Sequence, residues 1–433
     1  MKSMRVGWTL CWVAAATSGV ARPVAPKPQN PPLPTEAEFR KMPEPRVQGQ
    51  SALIMDAASG RILWEQAGQE PRFPASTTKI LTALLLIENT DPGDIITAPP
   101  EINTIGESSI HLKPGERLTA ADLLKAIMLR SANDACYAIA VHVAGSQAAF
   151  AELMNRRARE LGCSATHFVT PNGLHDPDHV SSARDLALMT QEALEHEEFR
   201  EVVRMTSATL QRGPGPADAF LRNRNSLLGK DPTNQGVKTG YTVPAGRCFV
   251  GLSVSEGREV ITVILKSPDW KRDTQILAGW THAHYVAQPL IGDWAEAKVP
   301  GLRWPLGGLL DADLPSSVLV RPGESIESVR TTWSVPETFG PADRLGELVI
   351  GFAGGENLRY EIRSKVAGAR PVVNLPEVKA ARLGWLGYGG IGVLLVATFV
   401  GLFGSIRRSG PHGRSRTSAQ VHRPRRGHQS PKG

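Results

Sequence analysis

The chain has 433 residues, 41% of them hydrophobic, and a formal net charge of +7. That is enough apolar material for about two or three domains. Arg407, Arg408, Arg414, Arg416, Arg423, Arg425, Arg426 and Lys432 follow Ile406 with no Asp or Glu among them, which leaves the rest at a formal −1. A nucleic-acid-binding body needs a basic face, so the charge balance speaks against that class.

In chain order, Lys2 and Arg5, the apolar run Val6 to Ala16, and small residues ending in Gly19 and Ala21 form a secretory signal pattern over residues 1–21. Residues 22–46 are dense in proline and predict an extended linker that does not pack. Order is expected from Val47. "SALIMDAASGRILWE" predicts a hairpin turning at Ala58-Ser59-Gly60. An apolar helix is expected from Ser76. "LTAADLLKAIMLR" predicts another, with Thr119 as N-cap and Asp122 three residues on. Helical periods continue through "QAAFAELMNRRARELG" and "SARDLALMTQEALEHEEF". Cys248 to Lys266 then gives strand, Glu256-Gly257 turn and strand, before a closing helix in "DTQILAGWTHAHYV". Strands at both ends and helices between predict an α+β unit over residues 47–290: an antiparallel sheet with an inserted helical lobe.

Residues 299–373 lack a helical period and carry short apolar alternations between Gly and Pro, which predicts a small all-β domain. A linker over 374–382 leads to residues 383–406, a run without charge that is long enough to span a bilayer. The arginines after it place the 407–433 tail on the cytoplasmic side. The predicted topology is a single-pass cell-membrane protein whose folded body is extracytoplasmic. Of Cys11, Cys136, Cys163 and Cys248, the first leaves with the signal segment. Three are too few for a complete disulfide framework, and buried apolar positions suit them.

One feature of the first helix is chemical. Ser76 stands three residues before Lys79 in "FPASTTKILTALLLIE". With 28 Ser and 14 Lys in the chain, about one such pair is expected by chance, so the spacing alone carries nothing. At a helix start, however, the two share a face one turn apart. Ser76 then sits where helix N–H groups favour a developing anion. Apolar surroundings are expected to disfavour the Lys79 ammonium and suit it as a base. Two more triplets follow: Ser131-Ala132-Asn133, and Lys238-Thr239-Gly240 at a strand. The order Ser-x-x-Lys, Ser-x-Asn, Lys-Thr-Gly is the signature of penicillin-interacting serine enzymes.

With "GERLTAADLLKAIMLRSANDA", "FAELMNRRARELG", "THFVTPNGL", "HVSSARDLALM" and "GVKTGYTVPAGRCFV" in the same order, the chain resembles a D-alanyl-D-alanine carboxypeptidase of the low-molecular-mass penicillin-binding proteins from about Ser51 to Val286. The resemblance implies the penicillin-binding, β-lactamase-like transpeptidase fold. It implies Ser76 as nucleophile, Lys79 as its base, Ser131 as proton relay to the leaving amine, and Asn133 orienting Lys79 and substrate. It also implies that Lys238 and Thr239 meet the terminal carboxylate, that the Gly240 edge lies along the peptide, and that the N–H groups of Ser76 and Tyr241 form an oxyanion hole. The implied partners are peptidoglycan stem peptides ending in D-Ala-D-Ala, with β-lactam antibiotics as covalent inhibitors; no cofactor and no metal is implied. The family's usual carboxylate-binding arginine past the second strand has two candidate counterparts here, Lys271 and Arg272.

Other readings carry less. His175 and His179 flank Pro177, which suits a structural turn better than a metal-binding helix face. Residues two apart, as in His282 and His284, do not share a helix face. Cys136 and Cys248 have no base at a suggestive spacing. A β-lactamase needs a way to free its acyl-enzyme, commonly an added glutamate that activates water; Glu152 is the superficial candidate. An endopeptidase would use the same chemistry, and a non-catalytic wall-binding protein would have lost one of the catalytic residues.

Overall fold

The computed structural model describes residues 31–369, apart from 107, 213–218, 290–309, 312–314, 316, 335, 337, 341–342 and 365–367. The expected signal segment, the membrane span and the basic tail lie outside the described residues. Among the described residues, no helix is long and apolar enough to cross a membrane.

Structure begins earlier than the sequence predicts. Glu36–Lys41 is a short helix, α1, closed by a capping box in which Thr35 accepts from the Glu38 N–H and gives its own N–H to Glu38 Oε2 at 2.7 Å. The pattern Thr-x-x-Glu was readable at residues 35–38 but is overshadowed by the surrounding prolines. Phe39 is buried, and its ring lies where a Cβ on Gly279 would have to go. Phe39 therefore ties the otherwise largely exposed 31–46 segment to the folded body, where the sequence predicts a free linker.

Strands β1 (Ser51–Asp56) and β2 (Ile62–Gln66) form the expected hairpin. Helix α2 runs over Lys79–Asn89. The ribbon of β3 (Ile95–Thr97) and β4 (Arg117–Thr119) leads to α3 (Ala120–Lys125), which Thr119 caps through the Asp122 N–H. The predicted helix does not continue regularly. Residues 126–130 widen into a π-turn that ends at Ser131, whose φ is 65°. Helix α4 (Asn133–Ala144) is apolar almost all round, as suits the middle of the lobe. Helix α5 (Gln147–Glu160) follows. The last helical period divides into α6 (Ala183–Leu194) and α7 (Glu197–Arg204). After the ribbon β5 (Ser207–Thr209) and β6 (Phe220–Arg222), the chain returns to the sheet as β7 (Asn234–Thr242), β8 (Gly246–Ser255) and β9 (Arg258–Ser267), and closes with α8 (Trp270–His284).

The five strands pair antiparallel in the order β2-β1-β9-β8-β7. Alternation along β1 serves two cores. Leu53 and Met55 join the helical lobe, while Ala52 and Ile54 face Phe39, Leu277 and Trp280. Both faces are covered, so β1 reads as an unbroken apolar run. The ends of the chain build the sheet and the middle builds the lobe, as the α+β reading expects.

Strand β10 (Val286–Pro289) pairs with β12 (Ser317–Val320). A second sheet takes the order β11 (Leu310–Asp311), β15 (Asn357–Ser364), β14 (Arg344–Phe352), β13 (Ile326–Trp333). Val318, Val320, Ile326, Leu348, Ile350, Phe352 and Ile362 form its core. The all-β texture is thus present, although β10 lies before the expected boundary. Arg61, at the β1–β2 turn, holds this module to the main sheet. It donates to Glu324, to Glu356 and to the Leu319 carbonyl at 2.8 Å, beneath the Phe352 ring.

Candidate active site

The nucleophile turn is built differently from a simple helix start. Ala75–Thr78 is a 3-10 turn, and the α-helix begins only at Lys79. Ala75 stands at φ 49°, a left-handed conformation that costs a non-glycine residue energy unless its surroundings hold it. They do hold it. The Thr77 hydroxyl donates to the Pro74 carbonyl at 2.7 Å and the Thr78 hydroxyl to the Ala75 carbonyl at 2.9 Å. Gly173 presses so close to Ala75 that a Cβ there would collide with the Ala75 carbonyl.

Lys79 is 0% exposed. Its Nζ lies 3.0 Å from Ser76 Oγ, 2.9 Å from Asn133 Oδ1 and 2.5 Å from the Asn172 carbonyl. These partners come from the nucleophile turn, the start of α4 and the 169–173 segment. Asn133 is held in turn, its Nδ2 donating to the Gly106 carbonyl at 3.2 Å. Asp134 accepts from the Ser109 hydroxyl at 2.6 Å and from the N–H groups of Ile110 and Leu112, which fixes residues 109–112. Ser131 is buried, and among the described residues its Oγ has no hydrogen-bond partner.

Strand β7 is the sheet edge next to this turn. Lys238 is buried on it and gives an N–H to the Thr239 carbonyl at 3.1 Å. Burial, with Lys79 and then Arg224 beside it, holds the Lys238 ammonium well below the usual lysine range. Gly240 allows the approach: a Cβ there would lie 3.0 Å from the Pro74 carbonyl oxygen and 3.1 Å from the Ser76 nitrogen. Tyr241 projects outward, 62% exposed. The resulting groove of about 340 Å³ is lined by Ser76, Ser131, Asn133, Thr239, Gly240 and Tyr241, and also by Ser108, Leu174, Arg224, Arg247 and Trp270. Six of the eight predicted residues thus line one groove between the Ser76 turn and the strand edge, and Lys79 and Lys238 lie buried against it.

The D-alanyl-D-alanine carboxypeptidase family profile matches residues 38–269, more than half of the chain. The chain belongs to this family. It is 31% identical over 318 residues to the D-alanyl-D-alanine carboxypeptidase DacF of Bacillus subtilis, covering 70% of this chain and 81% of the relative. It is 36% identical over 237 residues to DacC of Escherichia coli, covering 51% of this chain and 57% of that relative. Among solved structures it resembles a Streptomyces DD-transpeptidase with a TM-score of 0.51 and 25% identity, over 56% of this chain and 98% of the other. The serine-enzyme assignment and the transpeptidase fold read from the three triplets therefore stand.

Within this family fold, other sequence candidates fall away from the groove. Arg272 donates to the Pro31 carbonyl, and Lys271 lies over the Trp270 ring. Neither lines the groove; Arg224 and Arg247 do. Neither arginine carries a signal in the sequence: Arg224 follows a short ribbon, and Arg247 opens β8, well before Lys271 and Arg272. Glu152 is exposed on α5, and no carboxylate is among the described groove-lining residues. Cys136, Cys163 and Cys248 are free and buried. Burial pushes the Cys136 thiol up to about 11, which suits packing rather than chemistry. His175 packs edge-on against Phe73, and His282 bonds Ser253. Asn172, whose contribution is a carbonyl, offered no side-chain signal at all.

Proposed function

We propose that this chain is a serine D,D-carboxypeptidase that removes the terminal D-alanine from peptidoglycan stem pentapeptides through an acyl-enzyme on Ser76. The carrying observation is the contact between a fully buried Lys79 Nζ and Ser76 Oγ at 3.0 Å. A neutral amine has two N–H groups and one lone pair. Asn133 Oδ1 and the Asn172 carbonyl can accept from these N–H groups, and the lone pair facing Ser76 Oγ can receive its proton.

In this reading, Ser76 Oγ bonds the carbonyl carbon of the penultimate D-alanine while its proton passes to Lys79. The N–H groups of Ser76 and Tyr241 receive the oxyanion; loss of one such donor typically costs ~100-fold or more. The C–N bond then breaks as the Ser131 hydroxyl protonates the leaving amine, and Lys79 or Lys238 restores that proton. Water hydrolyses the Ser76 ester, releasing the shortened peptide. Lys238, Thr239, Arg224 and Arg247 receive the terminal carboxylate, and Gly240 lets the peptide lie along β7. A β-lactam presents its strained amide to the same groove and acylates Ser76. Residues 383–406 anchor the chain with its catalytic part outside the cytoplasm; the uncharged run and the arginines after it support this. A β-lactamase has less support, because no carboxylate is among the described residues that line the groove.

Purified full-length chain in detergent, given a peptide ending in D-Ala-D-Ala, is expected to release free D-alanine and to bind fluorescent penicillin covalently. Ser76→Ala is expected to abolish both. Undiminished labelling of that variant overturns the assignment, and rapid turnover of penicillin makes the chain a lactamase instead.

A further inference from the structure

His179 belongs to no catalytic triplet, yet it joins the two segments that present Ser76 and Lys79. Its ring is 2% exposed and stacks on Phe168 with centroids 5.0 Å apart. The Val169 N–H donates to Nδ1 at 3.0 Å and the Thr170 N–H at 3.3 Å. Nδ1 is therefore the acceptor, and the ring hydrogen sits on Nε2. Nε2 lies 2.9 Å from Thr78 Oγ1, so the imidazole donates to the Thr78 hydroxyl. That hydroxyl passes its own hydrogen to the Ala75 carbonyl. The chain of bonds has one direction: Val169 and Thr170 N–H, His179, Thr78, Ala75.

Both ends reach the reacting atoms. Ala75 is the left-handed residue immediately before Ser76. The 169–173 segment presents the Asn172 carbonyl to Lys79 Nζ, and the neighbouring Pro171 carbonyl accepts from Thr82 on α2 at 2.6 Å. One imidazole thus couples the strained turn that carries the nucleophile to the segment that holds its amine partner.

We infer that His179 is a positioning residue for acylation, locking the Ala75–Ser76 turn and the 169–173 segment into one rigid frame. It acts through Thr78 and Asn172 rather than on substrate. The inference rests on Ser76 being the acylated nucleophile. Misplacing a reacting pair by about 1 Å costs roughly 100-fold, and that cost falls on the chemical step rather than on binding.

The test compares full-length wild type, His179→Leu, His179→Gln and Thr78→Val for penicillin acylation by stopped flow, separating the acylation rate constant from the binding constant, alongside melting temperatures. Glutamine keeps an acceptor and a donor near the ring positions; leucine keeps neither. His179→Leu is expected to lower the rate constant roughly 10–100-fold with binding within about 2-fold. His179→Gln is expected to recover most of the loss. Thr78→Val, which keeps the imidazole and cuts only its link to Ala75, is expected to slow acylation in the same way. Wild-type acylation rates in folded His179→Leu or in Thr78→Val overturn the inference. So does an equal loss in the leucine and glutamine variants that merely follows melting temperature. A wild-type chain that neither acylates nor releases D-alanine overturns the function beneath it, and the inference with it.

Discussion

Arg61 and Lys79 are both buried basic side chains, and their hydrogen-bond partners differ. Arg61, at the junction of the main sheet with the β module, faces two carboxylates, Glu324 and Glu356, beside one carbonyl and an aromatic ring. Burial works against its charge, but the hydrogen bonds to the two glutamates outweigh it and raise the guanidinium's affinity for its proton. Lys79 is more deeply buried, and its Nζ contacts a hydroxyl, a side-chain amide and a backbone carbonyl. A cation needed only for structure is given counter-charges. In the proposed reaction the amine exchanges a proton with Ser76, and the neutral acceptors Asn133 Oδ1 and the Asn172 carbonyl hold it in place.

Replacing each cation separates the two roles. Lys79→Ala is expected to slow Ser76 acylation by ~1,000-fold or more, read by penicillin labelling against time, while the chain still melts cooperatively. Equal labelling rates would remove Lys79 from the chemistry. Arg61→Ala is expected to do the reverse. Stability falls by about 2–3 kcal/mol in urea unfolding, since partners of a buried ion pair are stranded, and acylation stays within about 2-fold. Loss of acylation in a folded Arg61→Ala chain would mean the junction reaches the groove.

Acid sharpens the same contrast from the side of buried neutral groups. Burial holds both the His179 and the His282 imidazoles down to about 4, against an ordinary 6.5. As pH falls, the unfolded chain takes up these protons first. Stability is complete above about pH 6.5 and is lost between there and about pH 4. A melting temperature flat over that window, or less steep in wild type than in His282→Gln, would contradict this. The smallest effect is expected at Gly240→Ala. Its new Cβ lies 3.0 Å from the Pro74 carbonyl oxygen and 3.1 Å from the Ser76 nitrogen, so the turn must yield by a few tenths of an ångström. Acylation is expected to slow roughly 10-fold with little change in melting temperature. An unchanged rate would show that β7 and the nucleophile turn have room to spare.

The proposed site was legible in sequence where a side chain's identity matters. The proposed roles of nucleophile, amine and orienting amide each call for particular side chains, and the order of Ser76, Lys79, Ser131, Asn133 and Lys238 marks them out. The fold class was legible because apolar alternation at β1, β8 and β9 and helical periods between them survive burial on two faces. What was hidden depends on tertiary proximity. Asn172 contributes a carbonyl that every residue has. Arg247 reaches the groove from the start of β8, whereas the search for a carboxylate-binding cation favoured Lys271 and Arg272, which α8 turns away. The π-turn at 126–130 is written in the same letters as an α-helix. Helix α1 did have a readable signal in Thr35 and Glu38, masked by its proline-rich flanks.

The central claim is that Ser76 is acylated because Lys79 takes its proton. The most direct measurement is the intact mass and peptide map of the full-length chain after a timed exposure to penicillin, for wild type and Lys79→Ala together. One added penicilloyl group mapping to Ser76 within the first time points in wild type, and absent from Lys79→Ala over the same interval, is the expected result. A penicilloyl group on any other residue, or one that forms equally fast on Ser76 without Lys79, contradicts it.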